Sequence, residues 1–168
     1  RLDKGHEAGV VEGRAVITTD GLIGRTVSVS GRTADVLLLT DPTCKVAVRM
    51  PRAEVFGVAE GMGLKPGEQP ACRIDYLSPG ADLRVGDEVV TSGQGGLFPK
   101  GMVVGKIART EVAAGGLYQT AWVDSTATLG ALEYAFVAAT ETDLGGAGAE
   151  ARGEWGFAEP EGLDGEAP

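Results

Sequence analysis

Apolar positions in this chain recur with period two far more than with the period of a helix. Arg14-Ala15-Val16-Ile17-Thr18-Thr19 runs into Asp20-Gly21 and returns through Arg25-Thr26-Val27-Ser28-Val29-Ser30, valines on one face and hydroxyls on the other. Alternation interrupted by Asp-Gly predicts a β-hairpin between Gly13 and Ser30 with a type I′ turn. After Gly31-Arg32, the run Asp35-Val36-Leu37-Leu38-Leu39-Thr40 is apolar on both sides and stops at Asp41-Pro42. So short a run predicts a strand buried on both faces. Val46, Val48 and Met50 then alternate with Lys45, Ala47 and Arg49, and Pro51 closes that strand. A further strand is expected around Glu54 to Val58, and another where Cys72, Ile74 and Tyr76 alternate with Arg73 and Asp75.

Ser78-Pro79-Gly80 is a strong break. Beyond it, a turn and a strand are expected in Ala81 to Thr91. A long strand should follow from Met102 to Val112, bulged or bent at Gly105, with two more at Gln119 to Val123 and Leu132 to Ala138. Strands at this spacing predict an all-β fold of two small antiparallel β-barrel lobes, 1–77 and 78–141, with strands free to cross between them. The architecture would be that of a chymotrypsin-like double barrel. From Thr142 the pattern stops, and residues 142–168 read as an acidic, Gly/Ala-rich, disordered tail. Trp155 and Phe157 stand out in it as a short docking motif or a local contact.

Composition narrows the function. The 27 glycines suit tight turns and argue against a helical bundle. A formal net charge of −9 disfavours binding to nucleic acid or to anionic lipid. No stretch approaches the roughly 20 apolar residues of a spanning helix. With no signal pattern at Arg1 and no initiator Met, the expectation is a fragment that starts downstream of a membrane anchor.

Candidate chemistry is sparse. Cys44 and Cys72 lie in or beside strand-like runs and read as buried free thiols, a disulfide being the alternative in an oxidising compartment. A single histidine, His6, lies before the first strand, so a Ser-His-Asp or Cys-His arrangement would have to use it as its base. The loop Thr91-Ser92-Gly93-Gln94-Gly95-Gly96 lacks both the order of a nucleophile elbow and the Gly-Lys-Ser/Thr ending of a phosphate loop. Asp87 and Glu88, adjacent in a strand, would point to opposite faces. No catalytic constellation, metal set or cofactor site emerges.

One ordered set of motifs is specific. Gly21-Leu22-Ile23-Gly24-Arg25-Thr26-Val27, Val36-Leu37-Leu38-Leu39-Thr40-Asp41-Pro42 and Val46-Ala47-Val48-Arg49 come first. Asp82-Leu83-Arg84-Val85-Gly86-Asp87-Glu88-Val89-Val90-Thr91-Ser92-Gly93, then Gly95-Gly96-Leu97-Phe98-Pro99-Lys100-Gly101 and Val104-Gly105-Lys106-Ile107, follow. In order and spacing these resemble the MreC family over about residues 3 to 140, with Asp3-Lys4-Gly5 as a looser entry segment. Within them Gly21, Gly24, Asp41, Pro42, Gly86, Asp87, Gly93, Gly96, Pro99 and Gly101 are expected to shape turns and bulges.

The resemblance implies two β-barrels held outside the cytoplasmic membrane by an N-terminal anchor and coiled coil. It implies a non-catalytic scaffold of the cell-elongation machinery. Its partners would be a penicillin-binding transpeptidase, other rod-shape proteins such as MreD, and further copies of itself. Interface anchors are usually aromatic or Arg, so Phe56, Phe98 and Tyr118 are the candidates, with core or turn packing as their competing role. Two rivals remain. Leu83-Arg84-Val85-Gly86-Asp87-Glu88-Val89-Val90 also resembles a segment of PDZ peptide-binding domains, though no groove-lining helix accompanies it. A protease-fold enzyme is the third reading.

Overall fold

The computed structural model describes residues 1–63, 68–128 and 132–138. Among the described residues it is all-β apart from a single 3-10 turn at His6–Ala8. The strands are β1 (Ala15–Ile17), β2 (Leu22–Val29), β3 (Ala34–Leu38), β4 (Lys45–Met50) and β5 (Val55–Gly61). They continue as β6 (Cys72–Leu77), β7 (Glu88–Thr91), β8 (Val103–Val112), β9 (Gln119–Ser125) and β10 (Phe136–Val137). Six of them close an antiparallel barrel in the order β4-β5-β6-β9-β8-β7. The other four form a second antiparallel sheet, β10-β1-β2-β3.

Strands cross the sequence boundary at Ser78, as that reading allowed. The barrel draws three strands from each side of it, and β10 returns to pair with β1, Val16 opposite Val137. A Ser-Pro-Gly break marks where the chain turns, and turning carries no information about which sheet the next strand joins. Among the described residues the second sheet does not close, with β3 and β10 at its edges, where a second barrel was expected.

Period-two patterning works where a strand has one wet face. Val46, Val48 and Met50 are fully buried in the barrel while Lys45 is exposed. β3 departs from expectation. It is an edge strand, half-buried over most of its length, and the fully buried position is Leu39 just beyond it. β6 departs too. Cys72 and Ile74 point inward, but a register shift between Ile74 and Leu77 and a φ of 58° at Tyr76 turn Leu77 inward and leave Tyr76 exposed.

The Asp20-Gly21 connection is not a type I′ turn, which needs positive φ at both central residues; here Gly21 alone has it, at 153°. A Cβ at Gly21 would lie 2.5 Å from Thr126 Oγ1 and 2.8 Å from the Val103 carbonyl, so close approach requires glycine there. Gly24, expected at a turn or bulge, lies within β2 beside a bulge, Val16 opposite Gly24 and Ile17 opposite Leu22, and a Cβ there would sit 1.9 Å from the Leu37 carbonyl. Gly86, Gly93, Gly96 and Gly101 do occupy left-handed turns. β8 bulges beside Gly105 as expected, Val89 lying opposite Gly105 and Val90 opposite Val103, and a second irregularity falls between Ile107 and Arg109.

The main core fills the barrel and continues under the second sheet through Ala15, Leu22 and Leu39. A smaller cluster of Val16, Ile23 and Ala127, with Leu2, Val36, Leu38, Ala135 and Val137 half-buried around it, lies on that sheet's other face. Cys44 and Cys72 are free thiols, both buried. Burial raises the Cys44 thiol to about 11 and the Cys72 thiol to about 12. Gly61 stands between them, its N–H donating to the Cys44 carbonyl and its backbone paired with Cys72. Two strand spacings, roughly 9.5 Å, exceed the reach of a disulfide.

Candidate interaction surface

Antiparallel pairing brings one end of β5, β6, β8 and β9 together: Leu77 lies opposite Gln119, and Gln119 opposite Val112. The outward side chains at this end are apolar. Phe56 is 54% exposed, Val58 50%, Tyr76 81% and Leu117 79%, and Val112 is exposed as well. Tyr118 is half-buried and packs on Tyr76, ring centroids 5.1 Å apart and tilted by 49°. Exposed aromatic and aliphatic side chains gathered at one end of a small β-domain make it a candidate contact surface.

Away from this end a polar, partly paired row crosses the barrel wall. Register sets Lys45, Glu60, Arg73, Trp122 and Arg109 in one row across five strands. Lys45 reaches Glu60 at 3.4 Å, and the Arg109 guanidinium stacks over Trp122, 3.8 Å from its centroid. In the next row Arg73 holds Asp75 at 2.8 Å, and Thr120 donates to the same carboxylate at 3.0 Å. An apolar centre with a polar rim is the anatomy of a protein interface.

A charged clamp stiffens the loop that borders the surface. Arg52, in the turn between β4 and β5, donates from Nε and Nη2 to the two carboxylate oxygens of Asp87, each at 2.6 Å. It also donates to the Asp82 carboxylate at 2.9 Å and to the Asp82 carbonyl. The Arg84 backbone N–H adds a bond to Asp87 at 2.8 Å. The hydrogen bonds from Arg52 hold the Asp87 carboxyl below its ordinary range, and those from Arg84 and then Arg52 do the same for Asp82. Asp87 is thereby a structural anchor, and its neighbour Glu88 is exposed.

The three aromatic candidates are not brought together. Phe56 and Tyr118 lie at the exposed end, whereas Phe98 is only 4% exposed and belongs to the core. Its apolar ring is better satisfied among barrel residues than in water, which removes it from a contact role. Tyr76, Val58 and Leu117 were missed by sequence reasoning. Leu117 had a signal, since it follows Gly115-Gly116 and a glycine turn exposes whatever it carries. Tyr76 had none, because its outward turn depends on a bulge.

The remaining candidates take structural places. Asp41 accepts from the Thr43 N–H at 2.8 Å and the Thr43 hydroxyl at 2.6 Å, which lowers its carboxyl pKa and shapes the turn holding Pro42. The Pro99 carbonyl accepts from the Thr91 hydroxyl at 2.5 Å and fixes the loop between β7 and β8. His6 is exposed on its 3-10 turn. The segment similar to PDZ domains is loop and strand β7 of the closed barrel. Among the described residues no group of three or more side chains is placed to hold a metal, and no helix is long and apolar enough to cross a membrane. Residues 142–168, with Trp155 and Phe157, lie outside the described residues.

Comparison with known proteins places this geometry. The family model for "Rod shape-determining protein MreC, barrel core" matches residues 1–139. The cell shape-determining protein MreC of Escherichia coli is 35% identical over 133 residues, 79% of this chain and 35% of that protein. The chain thus spans about a third of that relative's length. A crystal structure of MreC from Pseudomonas aeruginosa superposes with a TM-score of 0.75 at 32% identity, covering 82% of this chain and 86% of that one. A complex between penicillin-binding protein PBP2 and MreC from Helicobacter pylori matches at a TM-score of 0.58 and 25% identity, covering 74% of this chain and 75% of that one. With its closed barrel, second antiparallel sheet and matched span, this chain belongs to the MreC family of rod shape-determining proteins.

Proposed function

We propose that this domain is a non-catalytic scaffold of the cell-elongation machinery, which binds a penicillin-binding transpeptidase through the apolar end of its barrel. The observation that carries the reading is the exposed cluster of Tyr76, Leu117, Phe56 and Val58 beside the Tyr76–Tyr118 pair. Water-exposed aromatics held on a rigid, fully paired barrel lose little entropy when a partner covers them. The related MreC of Helicobacter pylori, solved as a complex with PBP2, supports the class of partner. Binding would shift the transpeptidase toward an active conformation only if that conformation is bound more tightly. On this reading the domain sits outside the cytoplasmic membrane, anchored through another part of the protein, and MreD and further copies of MreC are additional partners.

The test is binding of residues 1–168 to the extracytoplasmic domain of the same organism's elongation transpeptidase, by calorimetry. Saturable binding at micromolar or tighter affinity is expected, weakened at least about tenfold by Tyr76→Ser with Leu117→Ser, the size of one hot-spot loss. Tyr134→Ser, an exposed aromatic change on the second sheet, should leave affinity unchanged. Equal affinity in all three proteins, each shown to be folded, would reject the surface.

A further inference from the structure

Of the three arginines on the barrel strands, two are answered within the domain. Arg73 grips Asp75, and the Arg109 guanidinium stacks over Trp122. Arg49 of β4 forms no ion pair or hydrogen bond among the described residues, and its Nε is buried without an acceptor. In a chain of net charge −9, scarcity of carboxylates does not explain an arginine left without one.

Register fixes where it stands. Arg49 lies opposite Phe56 of β5 and opposite Val90 of β7. Cross-strand partners share a face, with Cβ atoms roughly 5 Å apart. Val48 and Met50, on either side of Arg49, are fully buried in the barrel, so Arg49 and Phe56 face outward together. Val90 is 5% exposed although it belongs to neither core cluster, the burial expected beneath the stem of a long side chain. Arg49 is thereby carried at the margin of the apolar end, beside Phe56.

We propose that Arg49 receives a carboxylate of the partner that covers the apolar end. The inference rests on the docking reading above and adds the chemistry the partner must present. A surface that packs on Phe56 also covers its cross-strand neighbour. The guanidinium does not lose its proton, so covering it without a counter-charge leaves a desolvated cation that opposes binding. A carboxylate answers both the charge and the planar fork of N–H donors. The fitting segment therefore carries an aspartate or glutamate next to the apolar side chains that meet Phe56 and Tyr76. A neutral or basic group at that place is rejected, so Arg49 sets specificity while the aromatics supply contact area.

Calorimetry with the extracytoplasmic domain of the same organism's elongation transpeptidase tests this. Three forms of residues 1–168 are compared, each shown to be folded: the parent, Arg49→Met, and Tyr76→Ser with Leu117→Ser. Arg49→Met keeps an apolar stem and removes the charge. It should weaken binding at least about tenfold in low salt, and its ratio to the parent should shrink as salt rises, because screening weakens the lost attraction. The apolar double change should weaken binding by a ratio that salt leaves unchanged. Arg49→Lys then identifies the acceptor. A water-soluble carbodiimide joins an amine to a carboxylate in contact with it as an amide, taking up the water lost and becoming a urea. Mass spectrometry should find position 49 joined to an aspartate or glutamate of the transpeptidase. If the apolar double change weakens binding while Arg49→Met binds like the parent, this inference is overturned and the docking reading stands. A loss on Arg49→Met that is indifferent to salt, with no cross-link through position 49, would also overturn it and leave Arg49 a packing role. Binding untouched by either change would overturn both readings.

Discussion

The closed barrel and the four-stranded sheet are made from the same kind of strand, yet they solve the edge problem differently. Every barrel strand has two hydrogen-bonded neighbours, and its inward side chains (Val46, Val48, Met50, Ile74, Val104, Ile107, Val123) are at most 1% exposed. The sheet has two edges and two apolar faces, one merged with the barrel core and one covered by a small cluster. Closure lets a barrel strand bury one face fully while the other meets water. Openness leaves β3 half-buried from Asp35 to Leu38.

The largest effect should separate the two by core truncation. Ile74→Ala in the barrel removes a fully buried side chain with no room to collapse and should cost about 2–5 kcal/mol by urea unfolding. Leu38→Ala in the sheet removes a side chain already half-exposed and should cost about 1 kcal/mol, because less apolar area is lost. Equal costs would mean that the sheet is packed as tightly as the barrel.

Glycine substitution sharpens the same contrast. A Cβ at Gly105 would lie 2.0 Å from the Asp124 carbonyl, and one at Gly24 would lie 1.9 Å from the Leu37 carbonyl, so the local clash is alike. The relief differs. β8 is held between β7 and β9, whereas β3 is an edge strand that can move outward. Gly105→Ala should therefore cost about 3 kcal/mol and Gly24→Ala about 1 kcal/mol, the upper and lower ends of the overpacking range. Thermal unfolding of both variants in parallel decides the order.

These contrasts also explain what the sequence could reveal. The alternation of Val46, Val48 and Met50 was legible because a closed strand with one wet face reports its burial as period two. Leu37 and Leu38 read as doubly buried because an apolar run says only that both faces meet nonpolar atoms, and half-coverage satisfies that equally. Tyr76 was misplaced because one residue with φ of 58° reverses inside and outside, and its side chain gives no sign of the bulge. Phe98 takes the core-packing role that competed with a contact role in the sequence: Gly-Leu-Phe-Pro-Lys-Gly reads as loop, and the loop folds its phenylalanine inward. The apolar end of the barrel was partly visible through Phe56 and Tyr118. The register that collects it from four strands was not, because pairing between distant strands is a property of the closed sheet.

The clamp on the barrel should show a pH dependence. Asp87 has a depressed carboxyl pKa, held down first by its hydrogen bonds from Arg52. Its contribution to stability is complete above the unfolded-state value near 3.9 and disappears as pH falls through the lower folded-state value. Asp87→Asn should therefore cost about 1–2 kcal/mol at pH 7, a figure kept small because the Arg52 side chain is 39% exposed. The difference from the parent should shrink as pH falls below about 4, as followed by urea unfolding across the acid range. A cost that persists in acid would assign the effect to packing.

The smallest effect distinguishes the barrel interior from its border with the sheet. Cys44 lies on the connection from β3 to β4, and Cys72 lies within β6, paired on both sides. Both thiols are buried with raised pKa values, so neither should react with an aromatic disulfide reagent until the structure opens. Opening at the border breaks fewer strand pairings than opening at β6. Cys44 should thus label about tenfold faster than Cys72 in native buffer and equally fast in denaturant, the signature of a local opening below the global one. Read by mass spectrometry of Cys44→Ala and Cys72→Ala single variants, identical native rates would show that sheet and barrel open as one unit. The open sheet would then be an integral part of the barrel's cooperative fold.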